Sequence, residues 1–341
     1  TGCSEEVSMK FRKVQISSII AFLFWISIML YKPTMIGAIL TPVAMLFSFF
    51  IFLIYHTTFK RIHLTGSQGI IVLCILYYAY CLFLYYVRKN TVFVNYIKAL
   101  LSVSLLVFVS LIVLFSDSIR TKFVRLFILA LVLWSLSYVC SLPVMLATRN
   151  AYALPVFQMN MPRYEDYTLA LYFPVTPGFG RISIGPFQFL RLTGLFRECG
   201  IAQLFYIWAI SEVEYYFKNP KWIKRLLVLG LLFCFSTMGY VNLVIWMCAK
   251  LFLNMKNSMD KKSFRRNLLL ILYLVIFVIA FANIPGIRIA DKAKVSFNAR
   301  FGGYMEIFEL FKSNPLFGTD SFVENSSSGL FQMIYQIGLV G

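Results

Sequence analysis

Arg149, Arg163, Arg181, Arg191 and Arg197 are the only basic residues between positions 148 and 199 of this 341-residue chain, and Glu198 follows directly on the last. A guanidinium offers a fixed fork of donors that grips phosphate or carboxylate through two parallel hydrogen bonds, whereas an ammonium acts as a point charge. The stretches read below as inward-facing use both, with eleven Lys and seven Arg. An all-arginine segment therefore points to a pyrophosphate or acidic-sugar site; anchoring to lipid headgroups is the plainer use of the same chemistry. Polarity is densest in Arg191-Leu192-Thr193-Gly194-Leu195-Phe196-Arg197-Glu198-Cys199-Gly200. Gly194 and Gly200 permit close backbone approach. Glu198 beside an arginine is either half of a structural ion pair or a general base next to a cation clamp.

A further cation, Arg300, precedes a readable helix. Tyr304, Ile307, Phe308 and Phe311 recur at i, i+3, i+4 and i+7, Ser296 or Asn298 can cap the start, and Asn314-Pro315 ends it. Such an amphipathic helix would lie in a membrane interface, with Arg300 at the end that already favours anions.

The elements that must hold these groups are membrane spans. The chain is 60% hydrophobic, 18% aromatic and 13% charged, with mean hydropathy +0.77. Soluble domains carry about 25% charged residues, so a soluble, disordered, collagenous or coiled-coil chain is excluded. The net charge of +18 then reads as basic cytoplasmic loops and not as a nucleic-acid surface. The expected fold is an all-α polytopic membrane protein of about ten transmembrane helices, with two long outer loops forming a periplasmic cap.

A cytoplasmic tail covers 1–14; Met9 reads as a natural start, so residues 1–8 read as non-native. Helices 1–5 occupy 15–147, the first periplasmic loop 148–199, helices 6–9 positions 200–283, and the second loop 284–328. The run 329–341 is too short to cross about 30 Å of hydrocarbon and reads as the start of a truncated last helix. Within 222–253 both flanks are strongly basic, which demands an even number of crossings. Two helices turning at Ser236-Thr237-Met238-Gly239 are therefore predicted. The first loop contains Pro155, Pro162, Pro174, Pro177 and Pro186 and is predicted to be a cap of turns.

Ionisable groups inside lipid are costly and mark function. Here only Glu212 and Glu214 fall near the inner end of span 200–217, where Glu214 is expected to pair with Lys218 at i,i+4. With neither mid-membrane charges nor an internal repeat, an ion-coupled transporter is disfavoured. Five of the seven cysteines, Cys74, Cys81, Cys140, Cys234 and Cys248, lie in predicted spans. No disulfide framework, metal pair or cofactor motif is legible.

At these residues the sequence resembles the bacterial O-antigen polymerase family (Wzy), within the wider O-antigen ligase and polymerase superfamily. The resemblance is carried by Arg191-x-x-Gly194-x-Phe196-x-Glu198-x-Gly200 opening a span, and by Ser236-Thr237-Met238-Gly239-Tyr240 at the tip of a helix pair. It continues from Arg300 through Asn314-Pro315-Leu316-Phe317-Gly318 to Gly338-Leu339-Val340-Gly341. It covers residues 181–341. Cys199 stands where members often have Pro or Asn, and Asn325-Ser326-Ser327-Ser328 where they often have Asp or His.

The resemblance implies a multi-pass protein of the bacterial inner membrane whose active site faces the periplasm. It would join undecaprenyl-pyrophosphate-linked donor and acceptor glycans without metal or cofactor, among membrane lipids and alongside a chain-length regulator protein. Arg181, Arg191, Arg197 and Arg300 would bind the pyrophosphate; Glu198, Arg191 and Arg300 would be catalytic, with Glu198 activating the acceptor hydroxyl. The alternative of a ligase to lipid A-core resembles enzymes with an outer-face histidine, and His56 and His63 both fall in an inner loop. A lipid-linked oligosaccharide flippase and a non-catalytic scaffold are the readings from other classes.

Overall fold

The computed structural model describes residues 2–31, 34, 37–59, 106–113, 115–150, 155–160, 168–172, 176–196 and 198–257, with isolated positions within 69–83, 265–276 and 308–315. The chain divides into two compact units, residues 1–61 with 113–287, and residues 62–112 with 288–341. Every element named below belongs to the first. They are α1 (Gly2–Met29), α2 (Gly37–Phe59), α3 (Asp117–Thr148), β1 (Pro155–Asn160), β2 (Thr168–Tyr172), β3 (Thr176–Ile184), β4 (Phe187–Leu192), α4 (Cys199–Tyr216), α5 (Pro220–Phe233) and α6 (Thr237–Asn257).

The described residues are mostly helical, and two stretches, Leu40–Thr58 in α2 and Asp117–Thr148, are long and apolar enough to cross a membrane. On α3, Ile128, Leu131, Trp134 and Tyr138 are buried, while Leu129, Leu133 and Leu136 on other faces are about half exposed. A helix apolar on all sides is normal where its surroundings are themselves apolar. Of the predicted tail 1–14, residues 2–14 are helical in backbone, since α1 begins at Gly2.

The connections α1–α2, α4–α5 and α5–α6 are short, and each pair reverses direction across its connection. One end gathers the α1–α2 connection, where Thr34 bridges Phe196, and the α5–α6 turn. At the other end Lys122 Nζ donates to Ser17 Oγ, Arg125 Nε to the Tyr216 carbonyl at 2.9 Å, and Lys224 to Glu214. Glu214 therefore does not pair with Lys218. Helix α4 stops at Tyr216, so Lys218 lies beyond the turn that would have aligned it, while antiparallel α5 returns Lys224 to the same level.

The helices meet through small residues. A Cβ on Gly230 of α5 would stand 2.1 Å from Ser135 Oγ of α3 and 2.6 Å from the Tyr206 ring of α4. Without it the backbones close up, and Tyr206 Oη donates to the Leu131 carbonyl at 3.1 Å, with Ser135 Oγ 3.2 Å from the same phenol. Small residues at crossings and hydroxyl bonds between helices are the usual means of helix association in lipid.

Between α3 and α4 the chain forms an antiparallel four-stranded sheet in the order β1-β2-β3-β4, where the sequence suggests only turns. Its prolines are compatible with strands as well as with the absence of helix. Pro155 opens the edge strand β1, and Pro186 lies in the β3–β4 turn after Gly185, whose φ is +59°. Glycine at the first central position of a two-residue hairpin supplies that angle without strain. On β4, Leu190 and Leu192 alternate inward, and Tyr138 Oη of α3 donates to the Leu190 carbonyl at 2.6 Å, tying the sheet to the helices.

Candidate functional site

The chain from β4 into α4 is built as a strand, a tight turn and a helix start. Gly194 turns the backbone at φ +57°, and a Cβ there would meet the six-membered ring of Trp134 at 2.5 Å. Phe196 is buried next, stacked on Phe205 with centroids 4.5 Å apart and edge-on to Trp134 at 5.9 Å. Two residues of the motif thus serve packing: Gly194 lets the turn lie on Trp134 and Phe196 pins it, whereas a Cβ on Gly200 would stand at an ordinary contact distance of 3.6 Å from Ser236 Oγ.

These constraints place Arg191 and Glu198 at one end of the helical layer. Arg191, half-buried on β4, donates from Nη2 to the Phe235 carbonyl in the α5–α6 turn. Phe235 itself sits at φ +46°, a left-handed conformation that costs a non-glycine residue about 1–2 kcal/mol. The turn presents its carbonyl to the guanidinium in that strained form. Arg191 Nε is buried with no hydrogen-bond partner, so one donor of the fork remains unspent. Cys199, Cys234 and Tyr240 lie within electrostatic reach of the guanidinium.

Glu198 is the N-cap of α4. Its carbonyl accepts from the amides of Ile201 and Ala202, and its carboxylate is exposed and makes no capping bond. Arg191 and Glu198 are not ion-paired with each other, though Cys199 lies within reach of both. The partial desolvation considered for Glu198 is not provided by the described residues.

The other predicted arginines divide. Arg149 is the C-cap residue of α3 at φ +55°, and its guanidinium carbon is 5.9 Å from the Phe187 ring centre. Arg181 lies on β3 opposite Leu190, next to a bulge in the β3–β4 ladder, with its side chain outside the described residues. Arg163, Arg197 and Arg300 lie outside the described residues altogether, as does most of the predicted amphipathic helix. Of that helix Phe308 and Glu309 are helical, and Lys312 Nζ stands 4.6 Å from the Phe308 ring centre.

Gln203 escapes a reading of the sequence that looks only for ionisable groups. It is fully buried one turn into α4; its amide nitrogen donates to the Leu231 carbonyl at 3.2 Å, and Oε1 is buried without a partner, packed hard against Gly239 of α6. An uncharged amide inside an apolar helix is itself a signal, because burying an unpaired polar atom costs about 1–3 kcal/mol. Among the described residues no group of three His, Cys, Asp or Glu side chains is arranged to hold a metal ion. No family model, curated protein or solved structure matches the chain.

Proposed function

We propose that the chain is a membrane glycosyltransferase that polymerises undecaprenyl-pyrophosphate-linked oligosaccharide repeat units into O-antigen or capsular polysaccharide on the outer face of the bacterial inner membrane. The observation that supports this reading best is Arg191: a guanidinium fixed in place through one nitrogen by the Phe235 carbonyl, with an exposed carboxylate seven residues on at a helix start.

In the proposed reaction the anomeric carbon of the donor loses its bond to pyrophosphate and gains one to the acceptor hydroxyl oxygen. Charge accumulates on the departing pyrophosphate, and Arg191, joined by Arg181, Arg197 and Arg300, neutralises it as it develops. A preorganised donor of this kind is worth about 3–4 kcal/mol in known sites. Glu198 accepts the acceptor's hydroxyl proton; its exposure leaves it within reach of a large glycan. The reacting groups, and not a metal, carry the charge in this scheme.

The test is complementation of a deletion strain, read as a gel of surface glycan. A ladder reduced to single repeat units on deletion supports polymerisation; loss of every unit supports a ligase or flippase. Arg191→Lys keeps the charge but not the fork, and is expected to abolish long chains at normal protein level. Arg191→Ala should slow elongation about 100-fold or more. Long chains surviving both Arg191→Ala and Arg300→Ala would sink the clamp.

A further inference from the structure

At the end of the helical layer opposite Arg191, a shallow, open cleft of about 560 Å³ runs along one face of α5, bordered by the largely apolar stems of Lys221, Lys224 and Arg225 and by Val228 and Leu229. These positions are i, i+3, i+4, i+7 and i+8 of α5 and share one face. Polarity changes along the helix axis and not only around it. The three cations occupy the first two turns, then Val228 and Leu229 follow, then Leu232, which is 42% exposed. At 1.5 Å per residue the apolar stretch runs roughly 10 Å beyond Arg225. Beside the cleft Trp222 is 71% exposed, with the Arg225 guanidinium carbon 4.7 Å from its ring centre. Among the described residues Glu214, paired with Lys224, offsets charge within the cluster, and Lys250 acts on that carboxylate as well.

We infer that this cleft binds the phosphodiester headgroup of an anionic phospholipid, with an acyl chain lying along Val228, Leu229 and Leu232. The cations here outnumber the one carboxylate beside them, and a phosphate would neutralise that excess. A free phosphate would use the cations and leave the adjoining apolar strip unmatched; a lipid matches both in the right order. An exposed tryptophan at the level of the charges suits a headgroup boundary. Basic loops alone would orient the chain wherever their lysines pointed, whereas here they border a cleft that continues into apolar surface. The inference rests on reading α5 as part of a membrane protein and is independent of glycosyl transfer.

The test is tryptophan quenching in the full-length protein reconstituted into vesicles of phosphatidylcholine containing a small fraction of brominated lipid. Brominated phosphatidylglycerol is expected to quench more than brominated phosphatidylcholine at equal fraction, and Trp222→Phe should remove most of that excess. Each cation near a membrane surface contributes about 1 kcal/mol, so relative affinity should fall about fivefold in Lys221→Gln and about 25-fold in Lys221→Gln/Arg225→Gln. Lys221→Arg/Arg225→Lys should keep the preference, which separates loss of charge from loss of fold. Equal quenching by the two lipids, a preference surviving the double glutamine variant, or displacement of the lipid by millimolar inorganic phosphate would overturn the headgroup site. Quenching by neither lipid would instead overturn the membrane reading itself.

Discussion

Alanine at Gly194 should be markedly worse than alanine at Gly185, although both glycines have the same backbone conformation. Their φ angles are +57° and +59°, so each substitution incurs about 1–2 kcal/mol for holding an L-residue in the left-handed region. Loss of unfolded-state entropy returns about 0.4–1 kcal/mol of that. The net cost at Gly185, where nothing lies within 4 Å of an added Cβ, is therefore about 1 kcal/mol. At Gly194 the same Cβ meets Trp134 Cε3 at 2.5 Å and Cζ3 at 2.8 Å. Trp134 cannot swing away freely, because it is buried edge-on to Phe196. Overpacking of this kind adds about 1–3 kcal/mol. With about 2 °C of melting shift per kcal/mol in a chain of this size, Gly185→Ala should lower Tm by about 2 °C and Gly194→Ala by about 4–8 °C. The assay is thermal unfolding of purified protein in detergent at one fixed scan rate, since unfolding that ends in aggregation makes Tm depend on the rate. Trp134→Leu closes a double-mutant cycle, and the Gly194→Ala and Trp134→Leu costs should couple by about 1–3 kcal/mol, the steric part alone. Equal melting of the two alanine variants, or coupling below about 0.5 kcal/mol, would refute the packing of the turn on Trp134.

Three further outcomes are expected. Tyr138→Phe removes the donor to the Leu190 carbonyl and should cost about 0.5–1.5 kcal/mol in thermal unfolding, with faster proteolysis of 155–192 if that bond is what ties β4 to α3. Gly230→Ala puts a methyl against Ser135 and Tyr206 and should cost about 1–3 kcal/mol, whereas Ser135→Ala, which removes a bond within α3 to the Leu131 carbonyl and one between helices to Tyr206 Oη, should cost about 0.6 kcal/mol for the interhelical bond; the reverse ranking would contradict the close crossing of α3, α4 and α5. Alkaline phosphatase fused after residue 160 or residue 310 should be active in cells, and inactive fusions would reverse the proposed orientation.

Residues with one dominant physical constraint are legible in the sequence. A helix pair within 222–253 is read from its two basic flanks, and the chain does break, but at Cys234–Ser236: Thr237, Met238 and Gly239, expected in the turn, open the second helix. The stretch Arg191–Gly200 is visible as a polar island before an apolar run, and Gly194 sits where the backbone must bend and pass closely. Legibility fails where two constraints compete. Between 155 and 192 the strands are 5–9 residues long and interrupted by Pro and Gly, so alternation never runs far enough to outweigh the turn signals. Glu214 satisfies an i,i+4 rule with Lys218, yet that rule presumes a helix continuing past Tyr216; the partner comes from the next helix because the turn is short.

Arg191 unites both cases. Its residue type and position suggest an anion site, but nothing local shows that one nitrogen is already held by a carbonyl 44 residues away while Nε is buried and unpaired. That division of the guanidinium, part structural and part unspent, is a tertiary property. It makes a specific demand on substitution: lysine can replace the charge, but a single ammonium cannot both hold the Phe235 carbonyl in that geometry and present a second, separately directed donor. Arg191→Lys should therefore lose either the turn or the anion, and melting temperature read beside glycan length tells which.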